Sequence, residues 1–300
     1  LAELQTLSVG RDDRVLAASL LNRAIVCGNM GRHEQASVLA GEALAAAEHC
    51  GSGDLASRSA EVLRTSRTLA DAAVEALWRA SNGGDGVAVR RLVEAGVDVN
   101  RAHRSGWTAV MFAAKKGHLE VMQHLLQHGA DANMTTPEGE TILIFAALKC
   151  RADLVATILA FGPELDVVSR DGRFALGCSA ALGDLDSVRL MVECGADVNV
   201  VTATGHCPLL LAIDSGHDRI VSYLAGRGVD LRRNLPMGLP PLLFALRYGN
   251  ANMLQTLLDA GAQAVWEPAL QPLVDQTLGL LREAGRIDVL RLFEPLMGRT

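Results

Sequence analysis

The chain has 300 residues, 49% apolar and 21% charged, which is too apolar for disorder and enough for one long solenoid or two compact domains. Its 28 basic and 34 acidic residues form no polybasic run, which argues against a nucleic-acid surface, and no apolar stretch reaches the roughly 18 residues that span a membrane. Aromatic residues are only 4%, so the core must be built from Leu, Val, Ile and Ala in thin layers.

Residues 1–69 open with Leu20, Leu21, Ala24 and Cys27, then Gly31-Arg32-His33-Glu34-Gln35-Ala36, then Ala40, Ala43 and Leu44. Small residues at Ala24, Ala36 and Ala43 let two helices cross closely, and Gly31 ends the first of them. The segment resembles a tetratricopeptide unit of the kinesin light chain type, with a weaker copy 42 residues on, where Val62, Leu63 and Ser66 answer Leu20, Leu21 and Ala24. An ordinary Ala-rich antiparallel helix pair is the other reading. Either way the segment is helical, and further such units are expected before Leu1.

From residue 70 a fixed period takes over. Gly96, Gly129, Gly162, Gly195, Gly228 and Gly261 are spaced by 33 residues, as are Gly106, Gly139, Gly172, Gly205 and Gly238. A third series, Gly84, Gly117, Gly183, Gly216 and Gly249, is broken only at Cys150. Gly129 stands where a helix ends and the chain needs a left-handed residue; Gly106 lies in a polar turn; Gly117 separates two helical runs. The unit therefore reads turn, helix, link, helix.

These residues resemble the ankyrin repeat family over about 70–268. Its G-A-D-V-N turn appears as Gly96-Val97-Asp98-Val99-Asn100, Gly129-Ala130-Asp131-Ala132-Asn133 and Gly195-Ala196-Asp197-Val198-Asn199, decaying at Gly228 and Gly261. Its T-P-L-H helix start departs further, as Thr108-Ala109-Val110-Met111, Thr141-Ile142-Leu143-Ile144, Phe174-Ala175-Leu176-Gly177, Cys207-Pro208-Leu209-Leu210 and Pro240-Pro241-Leu242-Leu243. With the family's histidine missing, the array is expected to lean more on packing and to be less stiff. The resemblance also makes Asn100 similar to asparagines that asparaginyl hydroxylases modify.

Val110, Leu143, Leu176, Leu209 and Leu242 share one apolar register, and Leu125, Ile158, Met191, Leu224 and Leu257 another. Phe112, Phe145 and Phe244 share a third, with Cys178 and Leu211 between them, and are expected inside. Helix pairs this short must stack on their neighbours to bury such faces. Ala72, Leu77 and Ala80 open a first, capping repeat, and Leu278, Leu281, Leu290 and Phe293 after Trp266 form a degenerate closing one. The fold expected is an all-α helical repeat solenoid: tetratricopeptide-like helices at 1–69, then about six ankyrin repeats with β-turn tips at 70–268 and a cap at 269–300.

Nucleotide-binding P-loop, hydrolase, zinc-protease and kinase motifs are absent. Gly83-Gly84-Asp85-Gly86 reads as a helix link rather than a phosphate cradle. His124 and His128, i and i+4 with His118 nearby, could share a helix face toward a metal ion, but two ligands do not make a site. Neither enzyme activity nor a cofactor is expected. Six cysteines without a C-x-x-C pair, and no leader pattern in Leu1–Asp12, imply reduced thiols and a cytoplasmic chain.

The resemblance implies that a partner is gripped by the turn tips and inner first-helix ends. The tips carry Arg104, Ser105 and Trp107; Glu138 and Glu140; Arg170, Asp171 and Arg173; Thr204 and His206; Met237 and Leu239. The inner ends carry Lys115-Lys116, Leu148-Lys149, Ala181-Leu182, Asp214-Ser215 and Arg247-Tyr248. All three lysines of the chain fall in that second set, in a chain with 25 arginines. The residues expected to bind are Arg104, Trp107, Lys115, Lys116, Glu140, Lys149, Arg173, His206, Arg247 and Tyr248, and the partner is a protein or acidic peptide, not nucleic acid or membrane. The plainer reading is of solvated lysines, with Trp107 packed on its own turn. The expected function is a non-enzymatic scaffold or adaptor, with the regulatory arm of a larger enzyme or channel as the alternative.

Overall fold

The computed structural model describes residues 2–232, 239–263 and 268–297, with side chains placed from Asp13 to Pro295; Met237, Gly238 and Trp266 lie outside the described residues. Every element among them is helical. The chain forms two compact units, residues 1–131 and 132–300.

The first unit begins with three long helices, α1 (Ala2–Asn29), α2 (His33–His49) and α3 (Gly53–Gly83). Ala24, Ala36, Ala40 and Ala43 are fully buried where they meet, so methyl-sized side chains set the close approach. Ser66 is buried too, and Val62 and Leu63 pack against Ala24, Leu39 and Ala40. Helix α3 runs unbroken through residue 69, so whatever change of repeat type occurs there falls within one helix. Its buried face continues as Ala70, Val74, Leu77 and Ser81, while Ala72 is exposed. After the Gly84 link, Asp85 caps α4 (Gly86–Glu94) by accepting the Ala88 N–H at 3.0 Å. The unit closes with α5 (Ala109–Lys116) and α6 (Leu119–Gln127).

In the second unit the helices come in pairs: α7 (Ile142–Leu148) and α8 (Ala152–Leu159), α9 (Ala175–Leu182) and α10 (Leu185–Glu193), α11 (Pro208–Asp214) and α12 (Asp218–Ala225), α13 (Pro241–Tyr248) and α14 (Ala251–Asp259). A short 3₁₀ turn leads to α15 (Gln271–Glu283) and α16 (Ile287–Met297), where Leu278, Leu290 and Phe293 are buried. Both long apolar registers are buried in every copy. The Phe register is less uniform: Phe145 and Phe244 are buried, but Phe112 is only half-buried.

Polar links between repeats are present beside the packing that the missing family histidine led us to expect. Asn100 Nδ2 donates to the Gly129 carbonyl and its Oδ1 accepts the Asp131 N–H, both at 2.8 Å. One repeat further each time, Asn133 accepts from Glu164 N–H at 2.7 Å, Asp166 from Asp197 N–H at 3.0 Å and Asn199 from Asp230 N–H at 2.7 Å. A second set uses the link between the paired helices. His118 Nε2 donates to the Asn82 carbonyl at 3.2 Å, and His217 Nε2 to the Ala181 carbonyl at 3.0 Å. Each imidazole lies flat against the link glycine of the preceding repeat: a Cβ would come within 2.7 Å of His118 at Gly84 and 2.6 Å of His217 at Gly183. Cys150, with a φ of 52°, holds the equivalent position where the following repeat offers Asp184 in place of histidine. Gly117 and Gly216, followed one repeat on by Arg151 and Asn250, keep glycine for their left-handed backbone, with φ of 82° and 80°.

Candidate functional site

The tips are short backbone hairpins repeated every 33 residues. His103, Thr136, Ser169 and Thr202 each donate their N–H to the carbonyl four residues on, at 2.7–3.0 Å, and a glycine closes each turn. The Thr136, Ser169 and Thr202 hydroxyls accept from Glu140, Arg173 and His206 N–H at 3.0–3.1 Å, so hydroxyl side chains brace the tips from inside. In the second unit the Arg170 N–H also donates to the Glu138 carbonyl at 2.8 Å, tying two tips together.

In the first unit Arg104, Lys115 and Lys116 are exposed and Trp107 is half-buried. The Lys115 ammonium sits 4.3 Å from the centroid of the Trp107 ring, a cation–π pair, and Trp107 packs on Phe112 at 5.5 Å. Phe112 thus faces the tip rather than the interior. His103 extends the cluster by meeting Trp78 of α3 edge-on at 4.7 Å, while Trp78 Nε1 donates to the Arg101 carbonyl at 3.1 Å. Neither His103 nor Trp78 stood out in the sequence: His103 shares its register with Thr136, Ser169 and Thr202, and Trp78 with Met111 and Ile144, but those copies carry no ring at either place.

Arg101 is a further missed residue. It pairs with Asp71 of α3 and lies 3.9 Å from Glu34 of α2, so the first tip is held against the long helices. Burial pushes the Glu34 carboxyl above its usual range, an effect the nearby Asp98 and Asp71 charges reinforce and Arg101 offsets.

In the second unit Lys149 is exposed at the end of α7, and His206 at its tip. Glu140 differs from the expectation of a free contact residue: it is 8% exposed, and its Oε1 accepts from Arg173 at 2.8 Å. The two stand one repeat apart in the same register with opposite charges, a signal the sequence did carry. Arg247 and Tyr248 engage each other through Nε and the phenol oxygen at 3.0 Å, with Tyr248 42% exposed and its ring 4.5 Å from Phe244. On the outer helices Tyr223 lies between Arg189 and Arg227, at 5.7 and 4.9 Å from its ring.

Among the described residues no three His, Cys, Asp or Glu side chains are grouped to hold a metal ion. His118 is committed to Asn82, and His128 Nδ1 to the His124 carbonyl at 2.8 Å. Among the same residues no helix is long and apolar enough to cross a membrane.

Stacked helix pairs presenting one braced tip per repeat define a class of protein-binding repeat modules. A family model for ankyrin repeats, in three copies, matches residues 76–171, 143–235 and 176–265, and the chain belongs to the ankyrin repeat family. Among solved structures it is similar to the human ASB11 ankyrin repeat domain, at 23% identity and a TM-score of 0.56, over 62% of this chain and 84% of that one; the likeness is one of fold. No curated protein matches it.

Proposed function

We propose that the chain is a non-enzymatic scaffold or adaptor of the cytoplasm whose ankyrin tips and inner helix ends hold an acidic or amphipathic peptide. The long helices at 1–69 act as a tetratricopeptide-like extension leading into the ankyrin repeats from residue 70. The observation that carries this reading is the Trp107–Lys115 pair: a large ring left half-exposed with an ammonium 4.3 Å above it, beside exposed Lys116 and Arg104. Tryptophan and arginine are the types that most often dominate binding energy, and a preformed surface binds with little ordering cost.

Affinity capture tests it, comparing the intact chain with a Trp107→Ala, Lys116→Glu, Lys149→Glu variant by quantitative mass spectrometry. Acidic partners should be depleted from the variant by roughly tenfold or more, as expected for loss of a hot spot. An unchanged partner set removes the reading.

A further inference from the structure

The inner helix ends of the second unit are not uniform, and the departure falls in one repeat. In the 33-residue register, the place of Cys178 is held elsewhere by Phe112, Phe145, Leu211 and Phe244. That of Ala181 is held by Lys115, Leu148, Asp214 and Arg247, and that of Gly177 by Met111, Ile144, Leu210 and Leu243. Three side chains larger in every other copy are therefore lost together from α9. One loss is made good: Phe174 folds over Gly177 so closely that a Cβ there would lie 2.3 Å from the ring. The other two leave a cavity of about 190 Å³ walled by Phe174, Cys178, Ala181 and Leu211, mostly apolar, with Arg173 and His206 as its charged or titratable side chains besides the thiol.

We propose that this notch receives one aromatic side chain of the bound peptide, with a neighbouring carboxylate of that peptide held by Arg173 and His206. The inference rests on the peptide-binding reading above and names the anchor. Size selects the occupant: a cavity of about 150 Å³ holds a benzene ring, whereas small-molecule sites run to roughly 300–1,000 Å³. Charge selects its surroundings: Arg173 and His206 are the polar donors lining the notch, and the carboxylate beside them, Glu140, is already paired with Arg173. Arg173 gives one N–H to Glu140, which fixes the guanidinium and leaves most of its five donors. His206 Nδ1 is engaged by the Thr204 hydroxyl at 2.7 Å, so Nε2 is the nitrogen left for a ligand. Burial pushes the Cys178 thiol up to about 11, which keeps it a neutral wall and not a nucleophile. Leu148 and Leu182, on the inner ends of α7 and α9, are 40% and 47% exposed and extend the apolar surface.

The probes are two amidated, acetylated pentapeptides, Glu-Asp-Phe-Asp-Glu and the same sequence with Ala at the centre, titrated into the 300-residue chain by NMR. The Phe peptide should bind roughly tenfold tighter, as burial of one such ring implies. Cys178→Phe and, separately, Ala181→Leu restore residues found in this register in other copies and so should fold, which a thermal melt checks. Either should bring the Phe-to-Ala ratio down to near one. A ratio near one in the unaltered chain, a ratio that survives both substitutions, or no binding of either peptide into the millimolar range overturns the notch. The Lys149→Glu variant separates the two readings: loss of affinity for both peptides at constant ratio reports on the basic inner strip, whereas the ratio reports on the notch alone.

Discussion

The long helices α1–α3 and the short pairs of the second unit hold their layers by different means. In the first, of 17 to 31 residues, the interface is made by alanines: Ala17, Ala24, Ala36, Ala40, Ala43 and Ala47 are all fully buried. Long helices bring enough of their own backbone bonds that shape alone fixes their partner. The short pairs, seven to nine residues each, are below the length at which a helix persists by itself. They bury larger side chains and add a side-chain to backbone bond at each of Asn133, Asp166 and Asn199. Shape specifies the first region; shape and repeated polar links specify the second.

The strongest challenge to that contrast is to overfill the first. Ala40→Leu inserts three carbons against Ala24, Val62 and Leu63 and should cost about 3 kcal/mol in denaturant unfolding; a change below about 0.5 kcal/mol means the helices do not meet as closely as described. In the second region Gly183→Ala should cost about 2 kcal/mol, because the backbone φ is +80° and the new methyl meets His217. Adding His217→Asn should recover the steric part, giving a positive coupling in the double-mutant cycle; strict additivity would show that the ring is not the obstacle.

Removing one rung, as Asn199→Ala, should cost about 1 kcal/mol by leaving the Asp230 N–H without its acceptor. The smallest effect has the opposite sign. Burial raises the Asp166 carboxyl above its usual range, with the Asp230-like N–H of Asp197 pulling it down and the Asp197 charge raising it again. The native state therefore binds a proton more readily than the unfolded chain, so this site stabilises progressively as pH falls through its folded pKa and weakens the fold above it. Asp166→Asn, the residue used at the other three rungs, should raise neutral-pH stability by about 0.5 kcal/mol and flatten that part of the pH profile; a loss of stability at pH 7 would contradict it.

The glycine periods made the helix pairs, the tips and both long core registers legible, because each demands a particular backbone or a buried face at fixed spacing. The half-buried position of Phe112 was not legible, since its register says interior while Trp107, whose tip register is polar at Glu140, Arg173 and His206, draws it toward the tip. Arg101, His103 and Trp78 were hidden because their contacts join unlike elements, which a comparison of repeats does not reveal. The Glu140–Arg173 pair and the Phe174–Gly177 exchange were present as compensating differences between copies. They emerge when repeats are compared for what changes rather than for what recurs.

The link histidines carry a consequence for how such arrays grow. A repeat bearing His118 or His217 can follow only a copy whose link residue lacks a side chain, while one bearing Asp184 tolerates Cys150 before it. Copies are therefore not interchangeable modules. Duplication or shuffling within this chain is constrained by a matching rule between successive units, so a repeat moved behind the wrong neighbour would carry its own sequence intact and still fail at the join.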